Sequence, residues 1–183
     1  MKNTLLLAAV ALAATFPIAA QAVEGAYIGA SVGRTEHKLR LGTISLKDAD
    51  TGFKFVGGMK VDENIGLEAG LVALGEGQIS GNGMFVKAKT NAAYIAGTVF
   101  YPASAKVDVS GKLGFTHNRV KATSSLVSGK ESTNAVVFGL GVAYSLNKNV
   151  ALVAEYENFG KLFSEQGLKL KADMFSAGVR YAF

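Results

Sequence analysis

Apolar and polar residues alternate one by one along most of this chain, and the alternation restarts eight times. A period of two is that of a β-strand, whose successive side chains point to opposite faces. Residues 175–183 show it most clearly: Phe175, Ala177, Val179, Tyr181 and Phe183 share one face, and Ser176, Gly178, Arg180 and Ala182 the other. Residues 26–34 set Ile28, Ala30 and Val32 against Gly29, Ser31 and Gly33. Residues 53–61 set Phe53, Phe55, Met59 and Val61 against Lys54, Gly58 and Lys60. In 65–74, Ile65, Leu67, Ala69 and Leu71 oppose Gly66, Glu68 and Gly70. In 107–116, Val107, Val109, Leu113 and Phe115 oppose Asp108, Ser110, Lys112 and Gly114. Residues 135–146 carry Val136, Phe138, Leu140, Val142 and Tyr144 opposite Gly139, Gly141 and Ala143. Residues 150–158 carry Leu152, Ala154 and Tyr156 opposite Val153, Glu155 and Glu157. The fourth segment, 91–101, admits two phases; the preferred one places Ile95, Val99 and Tyr101 on the apolar face and Thr98 opposite.

The connections alternate between short and long. Residues 62–64, 102–106 and 147–149 are tight turns; 35–51, 75–89, 117–134 and 159–171 are long and polar, and are expected to be loops. Strands of roughly 9–11 residues, joined by short turns at one end and long loops at the other, form the pattern of a transmembrane barrel. The fold expected is therefore all-β: an eight-stranded antiparallel up-and-down transmembrane β-barrel. Closure leaves no edge strand, so every backbone group is paired within the lipid. A lipocalin-like soluble barrel would give the same alternation with its faces reversed. The polar face is rich in bare glycine, which makes a poor solvent-facing strand surface, and Tyr181 and Phe183 suit a membrane interface. Both favour the membrane arrangement.

The first residues change the picture further. Lys2 precedes a ten-residue apolar run, 5–14; Phe16-Pro17 breaks it, and Ala20-Gln21-Ala22 is an A-x-A cleavage site. Residues 1–22 are expected to be a cleaved signal peptide, the run being too short to span a bilayer as a helix. Cleavage after Ala22 leaves 161 of the 183 residues, 23–183, as one barrel domain. Cysteine is absent, which excludes disulfides and thiol chemistry. Only 18% of residues are charged. Without Lys2, the basic residues exceed the 14 acidic ones by four, too weak and dispersed an excess to indicate nucleic acid.

Several segments resemble the OmpA-type barrels and their single-domain relatives. Gly29-Ala30-Ser31-Val32-Gly33 is similar to that family's first strand. Ile65-Gly66-Leu67-Glu68-Ala69-Gly70 resembles its third, with an inward glutamate, and 107–114 its fifth, with an inward base at Lys112. Residues 142–145 and 154–156 resemble strands six and seven. The resemblance implies a bacterial outer-membrane protein, exported through the periplasm and inserted by the barrel assembly machinery, which reads an aromatic closing strand. Phe175, Tyr181 and Phe183 are the residues it would read here. In that family an inward arginine on strand seven pairs with the strand-three glutamate as a gate; here that position is Val153. Lys112, Lys54 or Arg180 are the bases available to take its place. A peptidoglycan-binding domain of the kind that follows the barrel in full-length relatives is not expected here.

The candidate chemistry lies on the polar face. Glu68, Lys112, Glu155 and Arg180 are expected to enter one lumen and form a charge network, with Lys54 and Asp108 nearer its ends. A barrel of eight strands has an interior just wide enough for side chains to fill, and mixed signs in that space argue for salt bridges. The reading is a plugged lumen and a structural or surface-interaction role. The alternatives are a small gated pore, porin-like, and more remotely a lipid-modifying barrel enzyme. His117 near Ser124, Ser125 or Ser128 is the one hydrolase constellation the sequence offers, and it lacks a nucleophile elbow. No enzyme activity, cofactor or metal is expected, since the two histidines, His37 and His117, have no ligand spacing. The long loops carry a basic excess suited to lipopolysaccharide phosphates. The partners expected are outer-membrane lipid and lipopolysaccharide, and an extracellular ligand at the loops. The protein is expected to be a monomer that binds no nucleic acid.

Overall fold

In the computed structural model, which describes residues 25–41, 44–81, 84–124, 128–165 and 168–183, eight antiparallel strands close into a barrel. The expected signal peptide, 1–22, lies outside the described residues. The strands are β1 (Ala26–Leu41), β2 (Ile44–Lys60), β3 (Ile65–Gly81), β4 (Met84–Ser104), β5 (Val107–Ser124), β6 (Ser128–Ser145), β7 (Val150–Glu165) and β8 (Leu168–Ala182). Each pairs with its sequence neighbours. β1 pairs with β8 from Tyr27↔Ala182 to Leu41↔Leu168, and this seam closes the sheet on itself.

The outward face is the apolar one. Leu71, Phe115, Tyr101 and Leu140 are each about two-thirds exposed, whereas Lys54 and Glu68 are 1% exposed. A closed sheet with its charges inside and its large hydrophobics outside is stable only where the outside is lipid. In β4, Ile95, Val99 and Tyr101 face out and Thr98 faces in, the phase preferred above.

The strands run 15–21 residues, well beyond the 9–11 expected, and most of the four segments read as loops belong to them. The reason is physical. Past the apolar band the outward side chains meet water and turn polar while the inward face mixes apolar and polar residues, so the hydrophobic alternation fades. The backbone ladder continues regardless: Arg34↔Thr51 leads without a break to Leu41↔Ile44. Bulges in these segments also shift the phase. One in β3 centres on Gly75 (φ +85°), another in β7 on Gly160 (φ +66°), both in the left-handed region that favours glycine.

These bulges coincide with a change in the wall. Among the described residues, β2 and β3 pair no further than Phe53↔Ala73, and β6 and β7 no further than Phe138↔Asn158. Above those points the barrel continues as two four-stranded flaps, β7-β8-β1-β2 and β3-β4-β5-β6. Asp50 on β2 bridges one division, accepting the Glu76 amide hydrogen at 2.6 Å as well as that of Thr51. These two backbone donors hold the Asp50 carboxyl below the usual carboxylate range.

Candidate functional site in the barrel lumen

The lumen fills in three layers. At the end nearer the short turns, Tyr27 and Phe100 meet edge to face at 6.4 Å. The Arg180 guanidinium lies 4.6 Å from the Tyr27 ring centre, and Lys60 lies 4.7 Å from that of Phe100.

The middle layer is ionic. Lys112 Nζ on β5 is 2.6 Å from Glu68 Oε1 on β3, 2.9 Å from Glu155 Oε1 and 3.1 Å from Glu157 Oε1, both on β7. Lys54 Nζ on β2 is 2.6 Å from Glu155 Oε2 and 2.5 Å from Glu157 Oε2. Arg180 on β8 stands 3.8 Å from Glu68 and 3.7 Å from Glu155. Glu68 also accepts hydrogen bonds from the Tyr27 hydroxyl at 3.0 Å and the Tyr94 hydroxyl at 2.7 Å. Lys54, Lys112 and Arg180 thus balance Glu68, Glu155 and Glu157, and charge neutrality is what makes a buried ionic cluster tolerable; Arg180 Nε is buried there without a hydrogen-bond partner among the described residues.

The third layer is apolar. Val72, Leu74, Val120, Val137, Phe159, Leu162, Ala172 and Met174 are buried in one cluster that reaches down to Tyr94. Two polar groups at its margin are satisfied, His37 Nε2–H donating to the Leu74 carbonyl at 3.0 Å and Asn118 Nδ2 to that of Phe159 at 3.0 Å, whereas the buried hydroxyls of Thr35 and Thr90 have no protein partner among the described residues.

Glycine supplies the room. A Cβ at Gly70 would stand 2.3 Å from the Tyr94 ring, and one at Gly58 2.3 Å from the Tyr27 ring. On β6, a Cβ at Gly139 would press on Glu157 and Lys112, and one at Gly141 on Glu155. The glycines of the inward face are thus the seats of the large inward side chains.

All four residues expected in the network are brought together here, Glu68 and Lys112 in direct contact. Lys54, placed nearer an end by the sequence reading, sits at the centre. β2 continues past Phe53 to Ile44, so Lys54 is mid-strand. Asp108, on β5 near the short turns, takes no part in the ion pairs. Glu157, Tyr27 and Tyr94 were not singled out from the sequence; their odd or even positions alone marked them as inward. Val153, where the related barrels carry an arginine, is buried. Lys54, Lys112 and Arg180 supply the positive charge instead.

The outward aromatic row is exposed at Phe175 and Tyr181 on β8 and at Phe183 just past its end, with the last two rings edge to face at 5.3 Å. The Phe183 amide hydrogen bonds to the Ala26 carbonyl at 3.0 Å across the closing seam. His117 Nδ1 lies 2.8 Å from Asn134 Oδ1, a neighbour that occupies this ring nitrogen. Ser124, Ser125 and Ser128 lie outside the residues whose side chains are described, as do Arg40, Lys47, Lys87 and Lys169 of the expected basic loops. At the outer rim, Asp173 holds Lys38 at 2.5 Å, and that hydrogen bond raises the lysine above its ordinary range.

Comparison with known proteins places this geometry. No curated protein sequence matches the chain. Among solved structures, Neisserial surface protein A is 16% identical, with a TM-score of 0.63 over 87% of this chain and 98% of that one. OprG from Pseudomonas aeruginosa is 15% identical, with a TM-score of 0.58 over 87% and 96%. The attachment invasion locus protein Ail of Yersinia pestis is 18% identical, with a TM-score of 0.56 over 86% and 99%; Ail has also been solved with the heparin analogue sucrose octasulfate. At such identities the likeness is one of fold. The model of the outer membrane protein beta-barrel domain matches residues 4–183. The chain belongs to that family, and its place is the bacterial outer membrane.

Proposed function

We propose that this barrel is a closed structural and surface-interaction protein whose lumen conducts nothing, and that it is not an enzyme. The observation that carries the reading is the neutral, buried six-charge layer capped by an apolar layer. Side chains filling both layers support a closed bore over a water column. Lipopolysaccharide and other outer-membrane lipids are the partners proposed for the outer wall. The flaps above the membrane are the part proposed to meet an extracellular ligand.

A second reading, a small gated pore, has its own support. The hydroxyls of Thr90, Thr98 and Ser176 are buried in the lumen without a protein hydrogen-bond partner. Water threading the bore would satisfy them. Single-channel recording in planar bilayers separates the two. Purified protein is expected to leave the membrane silent up to high voltage. A reproducible unitary conductance that changes with Lys112→Met would replace the plug with the pore.

We further propose that Phe175, Tyr181 and Phe183 present the closing strand to the barrel assembly machinery as it is inserted. Phe183→Asp is expected to lower the folded fraction in outer membranes several-fold, read as the species whose migration shifts on boiling. The same folded amount as the unaltered protein, at equal expression, would remove the assignment.

A further inference from the structure

We propose that two rows of three outward lysines bind the phosphates of a multiply phosphorylated lipid in the outer leaflet; this deepens the lipid partnership proposed above and rests on it. In the first row, Lys38 on β1 is paired with Lys171 on β8, which is paired with Lys161 on β7. In the second, Lys89 on β4 is paired with Lys121 on β5, which is paired with Lys130 on β6. Direct cross-strand partners carry Cβ atoms roughly 4.5–5.5 Å apart, and like charges there are destabilising. Each half of the wall nevertheless sets three lysines side by side.

The acids on the wall only partly offset this. Lys38 is held by Asp173 and stands 3.9 Å from Glu36, and Lys89 stands 3.8 Å from Glu76. The central lysines, Lys121 and Lys171, and the outer Lys130 and Lys161 have no carboxylate partner among the described residues. All six lie on the face that carries the apolar band below. Phe175 is four residues from Lys171 along β8, a rise of roughly 9–10 Å at the usual strand spacing and tilt. Phe115 is six residues from Lys121 along β5, a rise of roughly 14 Å. These are the heights of headgroup phosphates above acyl chains, within reach of flexible lysines. The rows point sideways off the wall, toward neighbouring lipids. A soluble ligand would come from above.

Below the first row the wall is shaped as well as charged. Arg34, Glu36, Lys38, Tyr156, Asp173 and Phe175 border a hollow of about 180 Å³. Arg34 forms its lower cationic edge, directly opposite Phe175, and Phe175 pairs with Tyr156. One phosphate is met by the lysine row and a second by Arg34, while the two aromatic rings meet the first carbons of the acyl chains. On the second half Arg119 lies beneath Lys121, one outward position below it on β5, where Arg34 is two below Lys38 on β1. A lipid with at least two headgroup phosphates fits both sites, by charge-assisted bonds to each.

The test uses the folded, purified barrel in detergent, titrated with bis-phosphorylated lipid A and read by native mass spectrometry. Lys38→Gln, Lys161→Gln and Lys171→Gln together are expected to remove one tightly bound lipid per barrel and weaken its binding at least tenfold. Lys89→Gln, Lys121→Gln and Lys130→Gln together should remove the other. The matching arginine triples should retain both, and Lys106→Gln with Lys148→Gln, at the short-turn end, should change nothing. The single variant Lys171→Gln adds a test of sign. It should leave the thermal midpoint in detergent unchanged or higher, since repulsion is relieved, and lower it in membranes containing lipid A. Wild-type binding by the glutamine triples overturns the proposal. So does equal binding of dephosphorylated lipid A, and so does displacement by inorganic phosphate at matched concentration, which would mark a bare ion site. Each outcome is read on barrels that still shift on boiling, so a loss here leaves the fold and the plugged lumen standing.

Discussion

Lys112→Met is expected to lower the unfolding free energy by about 3–5 kcal/mol, the cost of leaving buried charge unpaired. Among the described residues, Lys112 is the one cation within 3.1 Å of all three carboxylates. Methionine keeps most of its volume and none of its charge, so packing changes little. Lys54 and Arg180 then face Glu68, Glu155 and Glu157, an excess of one negative charge in a buried layer. The sign of the remedy follows. Adding Glu157→Gln restores neutrality and should recover part of the loss, because Lys54 keeps Glu155 at 2.6 Å. Lys148→Met, in an exposed tight turn, should stay within about 0.5 kcal/mol of the unaltered protein. Urea unfolding in lipid vesicles measures all three. If Lys112→Met proves no worse than Lys148→Met, water is hydrating the glutamates, and the lumen is a wet channel, not a plug.

Why the sequence reading placed Glu68, Lys112, Glu155 and Arg180 in one lumen is clear from their strands. Each sits in a short run whose alternate positions are plainly apolar, so parity alone assigns the face. The same rule loses force where it met water. Beyond Phe53 on β2 and Phe115 on β5, both faces carry polar residues, and the strands passed for loops although their ladders run on. Lys54 and the lysine rows were misplaced for that reason. Lys54 lay near a presumed strand end, and the lysine rows were scattered among presumed loops. Cross-strand register, which sets Lys171 between Lys38 and Lys161, has no signature in a single strand. Tyr27 and Tyr94 were passed over for a different cause. An aromatic in a membrane barrel suggests the interface, and only the glycines opposite them, Gly58 and Gly70, mark the hollows that take their rings inside.

Gly178→Val is expected to damage the barrel at its closing seam, by about 1–3 kcal/mol or more, the range for overpacking a filled interior. Gly178 pairs with Ser31 on β1 and with Val153 on β7. A Cβ there would lie 2.1 Å from the Ala30 carbonyl oxygen and 2.6 Å from Ser31 Cα, both backbone atoms that cannot rotate away. Gly33, on the other strand of the seam, is as tightly confined, its Cβ position lying 2.2 Å from the Phe175 carbonyl oxygen. The strands that join the two ends of the sheet therefore approach through glycine. Any side chain at Gly178 must push β1 and β8 apart where their ladder closes the wall, and an opened ladder exposes backbone groups to lipid. Gly57→Val is the matched control. Gly57 faces outward on β2, with nothing within 4 Å of an added Cβ, so valine there meets only lipid and should be neutral or mildly stabilising. The readouts are the fraction of protein whose migration shifts on boiling and the urea midpoint in vesicles. Equal behaviour of the two variants would mean that the seam has slack, and that closure does not depend on glycine at Gly178.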